Sequence, residues 1–178
     1  MNDTAVKEPS NAMSATLESP VPEPAVSGET ILIRDASSED YDAANVLFKA
    51  QLGEGFLLDR ELWDAICNTD THRAFVATAT NGDVAGLAVV IVSDRIRLAH
   101  GTRRRRFHLD HLIVLPAYRR QGIGNRLLEE LIAVAKTERP SYIIVNCEFT
   151  NVAARRTYES AGLYLVRQAN DRFEIAFS

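Results

Sequence analysis

The chain of 178 residues is long enough for one domain with some excess, and its hydrophobic content of 46% suffices for a sizeable core. Its formal net charge of −4 arises from residues 1–29, which carry five acidic side chains against one lysine, so the remainder is close to neutral. The charge therefore indicates neither nucleic acid nor a membrane as a partner. The longest apolar run, residues 85–92, is too short to span a bilayer. The N-terminus has no apolar signal core, and we expect a cytoplasmic protein.

Residues 1–29 also contain four of the six prolines and show no hydrophobic period. This composition predicts a disordered tail, followed by one domain over residues 30–178. The tail is either a regulatory or partner-binding segment or an extension without a role. Cys67 and Cys147 lie far apart in apolar surroundings, which favours free thiols over a disulfide. No His/Cys cluster has metal-ligand spacing, so we expect no metal.

The first half of the domain reads as a strand, two helices and two strands. A strand is predicted over residues 30–34. Residues 37–40 then cap a helix, which runs to about residue 51. A second helix follows over residues 59–67, and the apolar residues around it either line a pocket or belong to the core: Phe56, Leu57, Leu58 and Trp63. Strands over residues 73–80 and 84–93 flank a tight turn at residues 81–83.

Residues 95–106 carry six arginines, and we interpret them as a loop. A nucleic-acid or anionic-substrate patch is conceivable for such a run. Because no aromatic residues are interleaved and the domain has no basic excess, a solvated loop is the favoured reading and nucleic acid is disfavoured as a partner.

The second half begins with a central strand over residues 107–115 and a helix from residue 123, which ends by Arg139 because Pro140 follows. A strand over residues 142–149, a short helix over 151–161 and two strands over 163–167 and 172–177 complete the chain. The order β-α-α-β-β-β-α-β-α-β-β predicts a single α/β domain with one central sheet that helices flank.

The strand, turn and helix start over residues 112–128 are suited to binding a phosphate. A helix start exposes free backbone N–H groups and the positive end of the helix dipole. Gly122 and Gly124 allow a bulky anion to approach that backbone, and Arg119, Arg120 and Arg126 add positive charge. A Walker loop is excluded because Asn-Arg stands where Lys-Ser or Lys-Thr is needed.

The run Arg119-x-x-Gly122-x-Gly124 after Leu112-x-Val114-x-Pro116 resembles the acetyl-CoA-binding signature of the GNAT superfamily. The resemblance extends over residues 30–178 and implies a mixed, mostly antiparallel sheet. It implies an N-acetyltransferase that moves an acetyl group from acetyl-CoA, as co-substrate, to a primary amine by direct attack in a ternary complex. The implied cofactor-binding residues are Leu112, Ile113, Val114, Arg119, Arg120, Gln121, Gly122, Ile123, Gly124, Asn125, Asn151 and Tyr158.

Asn151 and Tyr158 are about two helical turns apart, so they share one face of the short helix. Asn151-x-x-Ala154-x-x-x-Tyr158 followed by Gly162 resembles the GNAT pattern in which the asparagine contacts the cofactor and the tyrosine protonates the CoA thiolate. A phenol with a pKa near ~10 suits a thiol with a pKa near ~8.5. The alternatives are a core tyrosine and a plain helix cap.

The general base is less defined by the sequence. Relatives carry a glutamate five residues before the asparagine, where this chain has Asn146, which cannot accept a proton. A regular strand would put His108, Asp110, Leu112 and Val114 on one face. The segment Leu109-Asp110-His111-Leu112-Ile113-Val114 also resembles the acidic strand of polyamine acetyltransferases, and this resemblance implies Asp110 as the first candidate for the base, with His108 second. Glu148, which shares a strand face with Asn146, is the third candidate. For each, a structural hydrogen bond is the alternative.

Two alternatives to this interpretation stay open. The first is a non-catalytic acyl-CoA sensor, which Asn146 favours, and the second is an enzyme that acts on protein N-termini or lysines. Acceptor specificity is expected from residues 51–63 and from the loops at 95–106 and 167–172. Domains of this type often form homodimers, but the sequence does not establish one.

Overall fold

The computed structural model describes residues 30–97, 102–148, 150–167 and 171–176. Within them the chain forms seven strands: β1 Ile31–Asp35, β2 His72–Ala79, β3 Val84–Arg97, β4 Thr102–Val114, β5 Tyr142–Cys147, β6 Tyr164–Arg167 and β7 Asp171–Ala176. Their helices are α1 Tyr41–Leu52, α2 Arg60–Asn68, α3 Ile123–Glu138 and α4 Val152–Ser160, with single 3₁₀ turns at Ser38–Asp40 and Pro116–Tyr118. The predicted tail, residues 1–29, and residues 98–101 and 168–170 of the two predicted loops lie outside the described residues.

The strands form one sheet in the order β1-β2-β3-β4-β5-β7-β6. Neighbouring strands are antiparallel except β4 and β5, which are parallel. A parallel pair needs a crossover connection, and α3 supplies it between these two strands. The mixed, mostly antiparallel sheet is the fold class that the sequence predicted.

Helices cover both faces of the sheet, and each face has its own apolar core. Leu127, Leu128 and Leu131 of α3 pack with Tyr158 of α4 on one face. The α1 and α2 helices cover the other face, where Trp63 is fully buried. Leu58 belongs to this core and Phe56 packs against it, whereas Leu57 is exposed. The core reading of Trp63 is therefore confirmed.

Local polar contacts fix the starts of the first two helices. Arg34 donates two hydrogen bonds to Asp40, at 2.7 and 2.8 Å, and the Ser37 N–H donates to the same carboxylate at 2.8 Å. The Arg34 hydrogen bond is the main reason why the pKa of Asp40 lies below its usual range. Asp59 accepts a hydrogen bond from the Leu62 N–H at 2.8 Å and caps α2.

The prediction of a loop was wrong for residues 95–97 and 102–106. The β3 strand runs to Arg97 and β4 begins at Thr102, so these residues extend the antiparallel pairing of β3 with β4. Arginine side chains gave no apolar alternation, which is the signal for a half-buried strand. The pairing of Arg97 with Thr102 through Ser93 with Arg106 instead depends on backbone hydrogen bonds, which every residue type in this stretch can make.

Gly86 lies where β3, β4 and the start of α3 meet. A Cβ atom there would approach the Ile113 carbonyl oxygen to 3.0 Å, Ile123 Cγ2 to 3.2 Å and Leu127 Cδ1 to 3.3 Å. Each distance is shorter than an ordinary carbon contact. The glycine therefore allows α3 to lie directly on the sheet.

We expect Gly86→Ala to lower the free energy of unfolding by about 1–3 kcal/mol, because the added methyl overpacks this junction. Urea unfolding followed by circular dichroism measures the change. Gly55→Ala is the matched control, since a Cβ at Gly55 meets no atom within 4 Å. Equal stability of the two variants would contradict the close packing of α3 on β3.

Candidate active site

The parallel strands β4 and β5 separate part-way along the sheet. They pair over four residues, from Arg106 with Tyr142 to Leu109 with Val145. Beyond this point β4 continues to Val114 and β5 to Cys147 without a recorded pairing between them. A cleft of about 910 Å³ lies at this opening, and the edge of β4 forms one of its sides. Backbone groups on such an edge can pair with an extended ligand.

The turn after β4 presents backbone N–H groups to the same cleft. Gly122 is the N-cap of α3 with φ of 77°, and Arg120 has φ of 65°. Successive residues with left-handed and right-handed backbones form a concave nest that binds anions. No side chain caps the first turn of α3, so its backbone N–H groups are free to bind a ligand. The positive end of the dipole of this 16-residue helix lies at the same place.

Arginine side chains surround this turn. Arg119 Nε donates a hydrogen bond to the Val114 carbonyl oxygen at 3.1 Å, which ties the turn to the end of β4. Arg120 and Arg156 also line the cleft. The turn and these cations together suit a diphosphate.

The short helix α4 forms the opposite wall. The Asn151 side chain accepts a hydrogen bond from the Ala154 N–H at 3.1 Å, so Asn151 caps α4 while it also lines the cleft. Tyr158 lines the cleft from the same helix and packs against the Phe173 ring at 5.5 Å between centroids. Burial raises the pKa of Tyr158 to about 12, and Cys147 adds to the rise. The phenol therefore keeps its proton at any physiological pH.

A β-bulge alters the faces of β4. Leu109 pairs with Val90 and His111 with Val89, so Asp110 is an extra residue without a partner on β3. The predicted common face of His108, Asp110, Leu112 and Val114 was therefore wrong. Leu112 and Val114 pack against the apolar core that contains Leu109. His108 is the residue before Leu109 on the strand, so it lies on the opposite face.

The structure separates the first two candidates for the base. Asp110 lines the cleft, as does Glu148, whereas His108 is not among the lining residues. The Asn146 side-chain nitrogen donates to His108 Nε2 at 3.1 Å, so this ring nitrogen is already engaged. Asp110 has a different neighbour, because its Oδ2 lies 3.3 Å from Nε2 of His111.

His111 is a residue that the sequence interpretation missed. Its Nδ1 lies 3.3 Å from Oε1 of Gln51, and its ring packs edge-on against Phe48 with 4.8 Å between centroids. Burial lowers the pKa of the His111 imidazole, and the Asp110 carboxylate opposes part of that change. The sequence could not reveal these contacts, since Gln51 lies 60 residues away.

Most of the predicted binding residues share the one cleft, and two predicted residues do not line it. The predicted residues that do line it are Asp110, Leu112, Ile113, Val114, Arg119, Arg120, Gly122, Ile123, Gly124, Asn125, Asn151 and Tyr158. Gln121 and His108 are not among the lining residues, and the Gln121 side chain donates locally to the Ala117 carbonyl oxygen at 3.4 Å. The additional lining residues include Gln51, Cys147, Arg156 and Thr157.

Charged side chains of both signs line the cleft. Arg119 and Arg120 belong to the turn before α3, and Arg156 belongs to α4. Asp110 follows the last residue of β4 that pairs with β5, and Glu148 follows the end of β5. The arginines favour an anionic ligand group in the cleft, and the carboxylates favour a cationic group.

The family model described as "Acetyltransferase (GNAT) family" matches residues 38–163. The chain therefore belongs to the GNAT acetyltransferase family, whose members are acyltransferases that act on an acceptor substrate. A search of curated proteins gave no significant match. Within the described part of the chain, none of the helices combines the length and apolar character needed to cross a membrane.

Solved structures share this fold at low sequence identity. A GNAT-family acetyltransferase from Streptococcus pneumoniae has 19% identity and a TM-score of 0.68, covering 83% of this chain and 100% of its own. An alanine N-acetyltransferase for a ribosomal protein from Escherichia coli has 22% identity and a TM-score of 0.62, with coverages of 84% and 96%. Arabidopsis thaliana NAA60 in complex with a bisubstrate analogue has 15% identity and a TM-score of 0.64, with coverages of 83% and 97%.

Proposed function

We propose that this protein transfers the acetyl group of acetyl-CoA to a primary amine by direct attack in a ternary complex. One observation carries the proposal: the opening between β4 and β5, the uncapped start of α3 and the buried Tyr158 phenol border a single cleft. Family membership supports acetyl transfer. We propose residues 30–178 as the catalytic domain, which the described elements from Ile31 to Ala176 support.

The cofactor would lie along the edge of β4. Backbone groups of Leu112, Ile113 and Val114 would pair with the pantetheine arm as an added strand, and the N–H groups of residues 120–125 would bind the diphosphate. Asn151 would contact the arm from α4. The thioester oxygen would then approach the backbone N–H near Val114, which would stabilise the developing oxyanion.

The chemical step needs no protein nucleophile, because the thioester is already reactive. The acceptor ammonium first loses a proton to Asp110, and the neutral amine attacks the thioester carbonyl carbon. A C–N bond forms, the C–S bond breaks, and Tyr158 donates a proton to the departing thiolate. The amine nitrogen is cationic after the attack and gives its second proton through water to the Tyr158 phenolate, so the phenol is restored and the proton held by Asp110 is the one released in each turnover. Burial raises the pKa of the phenol, so Tyr158 carries its proton when the thiolate departs.

The acceptor is proposed to be a cationic amine. Asp110 and Glu148 both line the cleft. Their charge favours an ammonium group over a neutral or anionic acceptor. Small amines and peptide N-termini both fit this description, and the Escherichia coli protein above is an N-acetyltransferase for an alanine of a ribosomal protein.

The residues that line the cleft come from α1, β4 with its turn, the start of α3, β5 and α4. We propose a cytoplasmic protein in which Cys67 and Cys147 stay reduced.

Two measurements test the proposal. Calorimetry with CoA and acetyl-CoA measures cofactor binding. Thiol release from acetyl-CoA, followed with a panel of free amines, polyamines, aminoglycoside antibiotics and peptides, measures transfer and identifies the acceptor class. We expect binding of both nucleotides and thiol release with at least one cationic amine. A protein without affinity for CoA, or one that binds it and releases no thiol with any acceptor, would contradict the proposal.

A further inference from the structure

The bulge in β4 brings two adjacent side chains together at the acceptor end of the cleft. Successive residues of a regular strand point to opposite faces. Here Asp110 is the extra residue of the bulge, and its Oδ2 lies 3.3 Å from Nε2 of His111. Asp110 lines the cleft and His111 packs behind it against Phe48.

Gln51 determines which ring nitrogen of His111 faces the carboxylate. Its Oε1, which can only accept a hydrogen bond, lies 3.3 Å from Nδ1. The Nδ1 proton is therefore held toward α1, and Nε2 faces Asp110. A proton between Nε2 and Oδ2 completes a hydrogen bond, whereas its removal leaves two lone pairs facing each other. This arrangement gives the deprotonated pair a higher affinity for one proton than the carboxylate has alone.

We infer that Asp110 and His111 act as one proton acceptor for the amine, with Asp110 as the catalytic residue and His111 as the positioning residue that shares its proton. The inference rests on the proposed function. The ammonium N–H bond breaks, the proton comes to lie between Oδ2 and Nε2, and the neutral amine attacks the thioester. The pair returns the proton to water after the acetylated product leaves.

The polar and ring contacts of His111 are the Asp110 carboxylate and, from α1, the Gln51 amide and the Phe48 ring, and among these three only the carboxylate carries a charge. Val89, its register partner on β3, is apolar. Burial is the larger effect and lowers the pKa of the imidazole, while the Asp110 carboxylate opposes part of that change. A carboxylate alone, with a pKa near ~4, would take a proton from an ammonium group poorly at neutral pH. The imidazole supplies the missing basicity.

The first experiment measures kcat/KM against pH for the wild type, His111→Gln and His108→Gln, with acetyl-CoA and the best acceptor amine. Glutamine preserves a hydrogen-bond donor toward Asp110 but does not titrate near neutrality. We expect His111→Gln to move the acid limb of the profile to lower pH by roughly one unit or more, because the pair loses proton affinity. The plateau value of kcat/KM should fall by roughly 10- to 100-fold. His108→Gln, the matched control, should retain the wild-type limb. Reduced activity with an unchanged limb would make His111 merely structural and overturn the inference.

The second experiment does not require activity. NMR titration of the His111 ring in the wild type and in Asp110→Asn reports the pairing directly. Removal of the carboxylate charge should lower the titration midpoint of His111 by roughly one pH unit and leave that of His108 in place. Equal midpoints for His111 in the two proteins would overturn the pair. A shifted midpoint in a wild type that transfers no acetyl group would instead count against the proposed function.

Discussion

Replacement of Tyr158 with phenylalanine is expected to lower kcat by about 100-fold or more, while Kd for CoA stays within about threefold of the wild type. The phenol is the one group of α4 in the cleft that can protonate a thiolate, since the other lining side chains of that helix described here are alanine, arginine and threonine. Phenylalanine retains the ring and its contact with Phe173. The loss would therefore come from the missing proton donor.

The pH dependence adds a second readout for Tyr158. With a pKa of about 12, the phenol stays protonated throughout an assay between pH 6 and about pH 10. The wild type should therefore show no basic limb from this residue in that range. Tyr164→Phe is the matched control, because Tyr164 is exposed on β6 and does not line the cleft. A Tyr158→Phe variant with kcat within about threefold of the wild type would refute the proton-donor role.

The sequence predicted the order of the elements and the turn between β4 and α3, because both depend on local signals. Gly122, the arginines around it and the apolar strand before it lie within one short stretch, so the pattern alone identifies a helix start that suits an anion. Asn151 and Tyr158 share a helix face for the same local reason. The structure places Gly122, Asn151 and Tyr158 on the one cleft with Arg119 and Arg120, whereas Arg126 does not line it and donates to the Ile31 carbonyl oxygen.

The surroundings of Asp110 and His111 were less predictable, because they depend on contacts between distant segments. Regular alternation along β4 predicts that Asp110 shares a face with His108 and Leu112. The bulge that breaks this alternation arises from the pairing of β4 with β3, and the sequence of β4 alone does not show it. His111 acquires its surroundings from Phe48 and Gln51 of α1. The arginine-rich residues at the end of β3 and the start of β4 carry no apolar signal, so their sequence favours a loop.

Gly124→Leu is expected to raise the Kd for acetyl-CoA by about 100-fold, which corresponds to ~2.7 kcal/mol. A Cβ at Gly124 would lie 3.6 Å from Thr157 Cγ2 and 4.0 Å from Leu112 Cδ2, and both of these residues line the cleft. The larger side chain would therefore extend between α4 and the end of β4, where we propose that the pantetheine arm and the diphosphate pass. Leucine favours helix, so α3 should keep its stability.

Gly124→Ala distinguishes the effect of side-chain volume from the effect of replacing glycine as such. Its single methyl group makes an ordinary contact at 3.6 Å, and alanine favours the helix more than glycine does. We expect this variant to unfold at the same or a higher urea concentration than the wild type and to lose no more than about fivefold in affinity. The affinity should thus fall with side-chain volume from glycine through alanine to leucine. Wild-type affinity in a folded Gly124→Leu protein would mean that the cofactor does not cross the start of α3, because a four-carbon side chain would then occupy the space assigned to it without effect.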